Sequence, residues 1–315
     1  MEIIEDTYYN RYDLVNILGV GSYGTVLLSK DKKDGMLYAV KELDLNKEII
    51  SKSEIFEDIV KNISSEVNII KTLSYGPDNC NENIVCYYDM FKNTNEKKIY
   101  IVTEYIIGIT LTKFQELLKT VYMTHKSFYL NNIRYIITEV LKAIEYINDK
   151  NVIHGDIKPD NIMIEFGEYE TDDNGYFIVP TIETLINTNK NKIYRPVLID
   201  FGLSCITNIN NYCEKISGTP LYMAPEIVKS DFIYKQYDIW SLGIVLSELT
   251  FLFDFYNDII MKYNEDMWEV LQNITQDDIP NLKSGSKILN KLLKIMLIVD
   301  YEKRPTAHEI ITYEL

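Results

Sequence analysis

The run "VIHGDIKPDN", residues 152–161, decides how this chain is read. It places His154, Asp156, Lys158 and Asn161 within eight residues, stiffens them with Pro159, and wedges Gly155 between the His and the Asp. A carboxylate, an ammonium and an amide at that spacing make a set suited to phosphoryl transfer. Asp156 can accept a hydrogen bond from an attacking hydroxyl, Lys158 can neutralise the phosphoryl group in flight, and Asn161 can offer an amide oxygen to a hard metal ion. His154 reads as a packed structural residue, because it sits too close to the turn to act as the base.

Working outward, the next hydrophobic strand ends in "LIDFG", residues 198–202. Asp200 supplies a carboxylate, and Asp200 with Asn161 meets the one or two protein ligands that Mg²⁺ takes alongside substrate oxygens. Upstream, "LGVGSYGTV", residues 18–26, follows G-x-G-x-x-G-x-V. Gly19, Gly21 and Gly24 let a hairpin turn lie close over phosphates with backbone N–H groups facing the anion. This loop joins strand to strand, whereas a dinucleotide-binding fold needs a helix directly after it. "YAVK" ends an apolar strand in Lys41, either a solvated strand end or an inward contact to phosphates. The inward reading requires an acidic partner. Glu66 in "SSEVNIIKTL" stands beside the apolar stripe of the following helix and is preferred to Glu54 and Glu57. "SGTPLYMAPE" (217–226), "YDIWSLG" (237–243) and "DYEKRPTA" (300–307) complete the series, with Glu226 and Arg304 a candidate buried ion pair.

The pattern of elements changes once along the chain. Up to about residue 105 it is mostly strands, around one helix in which Ile59, Ile63, Val67 and Ile70 recur at three- and four-residue steps. Beyond 106 it is helical. "NNIRYIITEVLKAIEYI" lays Ile133, Ile136, Ile137, Val140, Leu141, Ile144 and Ile147 on one broad stripe, and "YDIWSLGIVLSELTFLF" is apolar on nearly all sides. Residues 166–195, rich in Asn and acidic side chains, read as a surface insertion between the short strands "NIMIEF" and "PVLIDF", with room for a short helix.

Taken together the motifs resemble those of the eukaryotic protein kinases, in that family's order, from about Tyr12 to Ile311. "IKPDN" and "GTPLYMAPE" resemble its serine/threonine branch. The resemblance implies an α+β, bilobal kinase fold: a β-rich lobe over 1–105 that binds ATP and a helical catalytic and substrate-binding lobe over 106–315. It implies an ATP- and Mg²⁺-dependent serine/threonine protein kinase acting on protein substrates. ATP would be held by Leu18, Gly19, Val20, Gly21, Ser22, Tyr23, Gly24, Thr25, Val26, Ala39, Lys41 paired with Glu66, the gatekeeper Thr103, and the hinge Glu104 to Ile106. Asp156 would be the catalytic base, Lys158 the phosphate contact, and Asn161 and Asp200 the metal ligands. Thr219 would brace Asp156 and Lys158. Ile70, Tyr87, His154, Phe201 and Asp238 would form an internal column, and Glu226 with Arg304 would tie the helical lobe together.

Gly155 departs from the family pattern, in which an Arg receives an activation-loop phosphate. The expectation is an enzyme that needs no such phosphate, with Thr207 and Ser217 as the modifiable residues of that loop. Asp160 sits where an acidic residue favours basic residues in the substrate, although the matching hinge-side position is Thr110. Leu203 fits a preference for Ser. The rival reading is an inactive scaffold of the same fold. Such a scaffold typically lacks one of Lys41, Asp156, Asn161 or Asp200, and all four are present.

Bulk properties bound the partners. The net charge is −15 over 315 residues, which repels nucleic-acid phosphates and anionic membranes and favours basic peptides or proteins. Cys80, Cys86, Cys205 and Cys213 form no C-x-x-C pair and lack zinc spacing. With no apolar leader or membrane-length run, a reducing, cytoplasmic setting is expected.

Overall fold

Strand-forming alternation dominates the first unit of the chain, Met1–Ile106, and helical periodicity the second, Ile107–Leu315. The computed structural model describes residues 3–21, 24–46, 56–76, 78–173, 175, 177–187, 194–214, 218–230, 232–251, 266–279 and 283–315. Within these, the side chains of 56–59, 61, 62, 65, 66, 187, 194 and 251 lie outside the description. So do Ser22, Tyr23 and Ser217 altogether, together with Glu54 and the side chains of Glu57, Ile59 and Glu66.

In the first unit, β1 (Ile4–Glu5), β2 (Tyr12–Gly21), β3 (Gly24–Asp31), β4 (Leu37–Asp44), β5 (Tyr87–Asn93) and β6 (Lys98–Glu104) form one sheet in the order β1-β5-β6-β4-β3-β2. All neighbours are antiparallel except β1 and β5. The register sets Val26 opposite Lys41, Lys41 opposite Ile101 and Ala39 opposite Thr103. A short helix α1 (Tyr8–Arg11) contributes Tyr8 to an aromatic cluster that the sequence reading did not assign. There Phe91 stacks on Tyr100 at 4.7 Å between ring centroids, and the Arg11 guanidinium lies 4.6 Å from the Phe91 centroid while pairing with Asp89 at 2.7 Å. Such ring pairs add about 0.5–1.5 kcal/mol each beyond the area they bury. Helix α2 (Phe56–Leu73) buries Val67 and Ile70 of the expected stripe.

In the second unit, β7 (Gly108–Thr110) leads into α3 (Leu111–Lys119) and then α4 (Lys126–Asp149), whose seven stripe residues are all buried. The apolar run after Tyr237 forms α6 (Gln236–Phe251), with Trp240, Leu242 and Val245 at no exposure. Helices α7 (Met267–Asn273), α8 (Lys287–Met296) and α9 (Ala307–Tyr313) follow; the last starts with a Thr306–Glu309 capping box.

Strands β9 (Ile162–Phe166) and β12 (Tyr194–Leu198) pair antiparallel, with β9 also paired to β7. This pair positions the site. Ile162 faces Leu198, so Asn161, just before one strand, and Asp200, just after the other, emerge at the same end. The intervening segment holds a hairpin of β10 (Glu170–Thr171) with β11 (Phe177–Ile178) and the helix α5 (Ile182–Asn187). Phe177 stacks on Phe166 at 5.7 Å, which docks the hairpin on β9. Among the described residues, no helix is long and apolar enough to cross a membrane.

Candidate active site

Strand β8 (Val152–Ile153) delivers the chain to His154. His154 is fully buried, and its ring fixes the local backbone from both nitrogens. The Asp156 N–H donates to Nδ1 at 3.3 Å, and Nε2 lies 3.2 Å from the Ile199 carbonyl, so the proton belongs on Nε2. Phe201 meets the ring edge-on at 4.8 Å.

Gly155 has φ +77°, in the left-handed region that favours glycine. Its N–H and that of His154 donate to the two oxygens of Asp238, at 2.9 and 2.8 Å. Asp238, at no exposure, is held above the usual carboxylate range by burial, which outweighs the two backbone donors that favour its charge. The turn that carries Asp156 is therefore anchored on the first turn of α6.

The Asp156 carboxylate takes four hydrogen bonds. Oδ1 accepts from the Thr219 N–H at 2.9 Å and the Thr219 hydroxyl at 2.7 Å. Oδ2 accepts from Lys158 Nζ at 2.7 Å and Asn161 Nδ2 at 2.9 Å. Lys158 Nζ also donates to Thr219 Oγ1 at 2.7 Å, which closes a ring of three side chains. Asn161 Nδ2 further donates to the Asp156 carbonyl at 2.9 Å. With its amide nitrogen committed, Asn161 has its amide oxygen left for a cation. The Asn161 carbonyl accepts from the Ile199 N–H at 2.9 Å, which ties the strand end before Asp200 to this loop. Asp200 is exposed and has φ +61°.

Gly218 is a residue that the sequence reading passed over. It has φ +124°, and a Cβ there would meet Tyr237 Oη at 2.7 Å and the Gly155 carbonyl at 2.8 Å. The chain before Thr219 therefore lies directly against the Gly155 turn, and that close approach is what aims Thr219 at Asp156. The signal was available in "SGTP": a Gly beside a residue that must bond across the fold.

Glu226 and Arg304 form a bidentate pair at 2.7 and 3.0 Å, both buried. Arg304 also donates to the carbonyls of Gln236 and Ile298, each at 2.9 Å, and lies 5.0 Å from the Trp240 ring centroid. Asp160 is exposed and accepts from the Thr112 hydroxyl at 2.7 Å, while Thr110 caps α3. Thr207 differs from the expectation of a modifiable residue: it is buried, and its hydroxyl has no hydrogen-bond partner. The cysteines also go beyond what their spacing revealed, pairing as Cys80–Cys86 and Cys205–Cys213.

In the first unit, Gly24 has φ +140° and a Cβ there would meet the Glu42 carbonyl at 2.2 Å, whereas a Cβ on Gly19 would meet nothing among the described residues within 4 Å. Gly24 thus serves the hairpin itself, and Gly19 leaves open space. Leu18 and Val20 are exposed; Thr25, Val26, Ala39, Lys41 and Thr103 are half-buried. Thr103 donates to the Ala39 carbonyl at 3.4 Å. Glu104 accepts from the Cys86 N–H at 2.9 Å, and Ile106 is buried at the end of the unit. Ile70 and Tyr87 are buried here, while His154, Phe201 and Asp238 are buried in the second unit.

Comparison with known proteins extends the picture. The chain is 28% identical over 96% of its length to the probable serine/threonine-protein kinase nek3 of Dictyostelium discoideum, and 29% identical over 98% to calcium-dependent protein kinase 4 of Plasmodium berghei (strain Anka). It spans 23% of the first and 49% of the second. It is 25% identical over 94% of its length to myosin light chain kinase A of Dictyostelium discoideum, 84% of which it covers. The protein kinase domain model matches residues 12–315. With an α+β architecture and that match over nearly its whole length, this chain belongs to the protein kinase domain family.

Proposed function

We propose that this chain is an ATP- and Mg²⁺-dependent serine/threonine protein kinase that works without a phosphate on its activation loop. The observation that carries the reading is the closed ring of Asp156, Lys158 and Thr219. A carboxylate has about four acceptor sites. In this state all four on Asp156 are filled, two by Thr219, one by Lys158 and one by Asn161. When Lys158 turns to a γ-phosphoryl group it vacates one site on Oδ2, and a substrate hydroxyl takes it. Asp156 then orients that hydroxyl for in-line attack and receives its proton, while Lys158 meets the charge spread over the phosphoryl oxygens.

Asn161 and Asp200 are the residues proposed for the metal. Among the described residues, no group of three His, Cys, Asp or Glu could hold a metal ion. Mg²⁺ needs no such cage, since it takes one or two protein carboxylates or amides with the nucleotide's own oxygens. When bound, it neutralises phosphate charge. The proposed nucleotide contacts of the first unit are the backbone of Gly19, Gly21 and Gly24, Lys41, and the hinge from Glu104 to Ile106. The names of the relatives and "IKPDN" support Ser/Thr acceptors. The net charge of −15 and the exposed Asp160 support basic substrates.

Independence from a loop phosphate rests on Gly155, which has no side chain to receive one, and on a Thr219–Asp156 contact formed without one. Phosphatase-treated protein and Ser217→Ala should retain full activity. Loss of activity in either would overturn this part of the reading.

A further inference from the structure

The segment between Asp200 and Thr219 carries a covalent tie. Cys205 and Cys213 are joined, with their Cα atoms 6.4 Å apart, inside the span that a disulfide accepts. We propose that Cys205–Cys213 is a redox-reversible clip that holds the activation segment in its ordered arrangement, in place of the phosphate contact that Gly155 cannot make. The consequence for activity rests on the kinase reading; the clip itself does not.

Four observations converge. Cys205 lies in β13 (Cys205–Ile206), opposite Ile153, the residue just before His154. Cys213 lies in β14 (Tyr212–Cys213), opposite Ile233 of β15 (Ile233–Tyr234), which leads into α6 and Asp238. The bond therefore joins the strand pair that precedes the catalytic turn to the pair that precedes the helix anchoring that turn. Each pair is only two residues long, far short of the lengths that are stable unaided. The loop that the bond closes is preorganised: the Asn208 N–H donates to the Tyr212 carbonyl at 3.0 Å, Asn211 N–H to the Asn208 carbonyl at 2.9 Å, and Thr207 N–H to the Asn151 carbonyl at 2.8 Å. Finally, Thr207 is buried, so its hydroxyl is closed to modification, and within residues 205–213 the two cysteines are the redox-active groups.

The two sulfurs differ in access: Cys213 is buried and Cys205 half-buried. A low-molecular-weight disulfide such as oxidised glutathione supplies the oxidant. The Cys205 thiolate attacks one of its sulfurs and releases a glutathione thiolate. The Cys213 thiolate then attacks Cys205 Sγ and expels the second. Two protein thiols are oxidised and one glutathione disulfide is reduced to two thiols; reduction runs the same steps backward. In a reducing compartment such bonds are commonly transient and regulatory.

The test equilibrates the full chain in glutathione buffers of graded ratio. Differential alkylation with peptide mapping reads Cys205–Cys213 separately from Cys80–Cys86. Amide hydrogen exchange reads residues 205–213, and phosphotransfer reads activity. The expected result is reversible bond formation, loss of protection across 205–213 on reduction, and a fall in phosphotransfer of about fivefold or more, the low end of coupling between sites. Cys205→Ser and Cys213→Ser should each sit at the reduced level at every ratio. A pair that stays reduced throughout, or exchange that does not respond to its oxidation, overturns the clip. Redox-responsive exchange without phosphotransfer at any ratio supports the clip and overturns the kinase reading.

Discussion

Thr219 makes more of the site than any other single residue outside the catalytic loop. Its N–H and hydroxyl hold one oxygen of Asp156, and its hydroxyl oxygen receives Lys158. Thr219→Val keeps the shape and the N–H but removes the hydroxyl. It should lower kcat by about 10²-fold, the cost of a misplaced reacting group, with little change in thermal midpoint, and Thr219→Ser should restore it. Steady-state kinetics beside a melting curve separates this from a folding defect. Arg304 is the opposite case, a buried charge with a structural duty. Arg304→Ala leaves Glu226 buried and unpaired and should cost about 3–5 kcal/mol in denaturant unfolding. The grouping of Asp156, Lys158 and Asn161 was legible in the sequence because it is local: the three stand within six positions, and the fold bonds them to one another. Gly218, Thr207 and the cysteine pairs were not legible. Their roles depend on contacts between distant positions, such as Gly218 against the Gly155 carbonyl, and no local periodicity reports those.

At the scale of elements, two glycines of the glycine-rich hairpin differ in what a side chain would meet. Gly24→Ala must push its Cβ from the Glu42 carbonyl at a left-handed φ, and should destabilise the first unit by about 1 kcal/mol or more. Gly19→Ala meets nothing among the described residues, so it should leave stability unchanged and raise the KM for ATP. Nucleotide titration and urea unfolding of the two variants check both statements; equal KM values in Gly19→Ala and the parent would remove Gly19 from the nucleotide contacts. The long segment between β9 and β12 behaves as an attachment. Its flanking strands pair with each other from Ile162–Leu198 to Phe166–Tyr194, so they hold Asn161 and Asp200 together without it. The flanking strands were readable as apolar runs. The β10–β11 hairpin was not, because its acidic and Asn-rich residues carry no alternation, and the stack of Phe177 on Phe166 that docks it joins distant positions.

At the scale of the whole molecule, buried phenols stand in both units. The first carries Tyr8, Tyr12, Tyr38, Tyr87, Tyr88 and Tyr100, whose phenols are all raised above the usual tyrosine range, chiefly by burial, with Tyr12 at about 12, and the second carries Tyr129, raised in the same way. Burial favours the neutral phenol, so the unfolded chain ionises first as pH rises. The contribution is complete below about pH 10 and is lost as pH climbs through the folded values. The urea midpoint read by far-UV circular dichroism should therefore fall between about pH 10 and 12. A midpoint that stays level across that range would contradict the contribution of the buried phenols. The account as a whole turns on phosphoryl transfer. The measurement that tests it most directly is the transfer of labelled γ-phosphate from ATP–Mg²⁺ to basic protein substrates by bacterially expressed, phosphatase-treated chain, beside Asp156→Asn. The account predicts label on Ser or Thr, reduced about 10²- to 10⁴-fold in the variant. Absence of label from the parent with ATP binding retained, or equal label from both proteins, would contradict it.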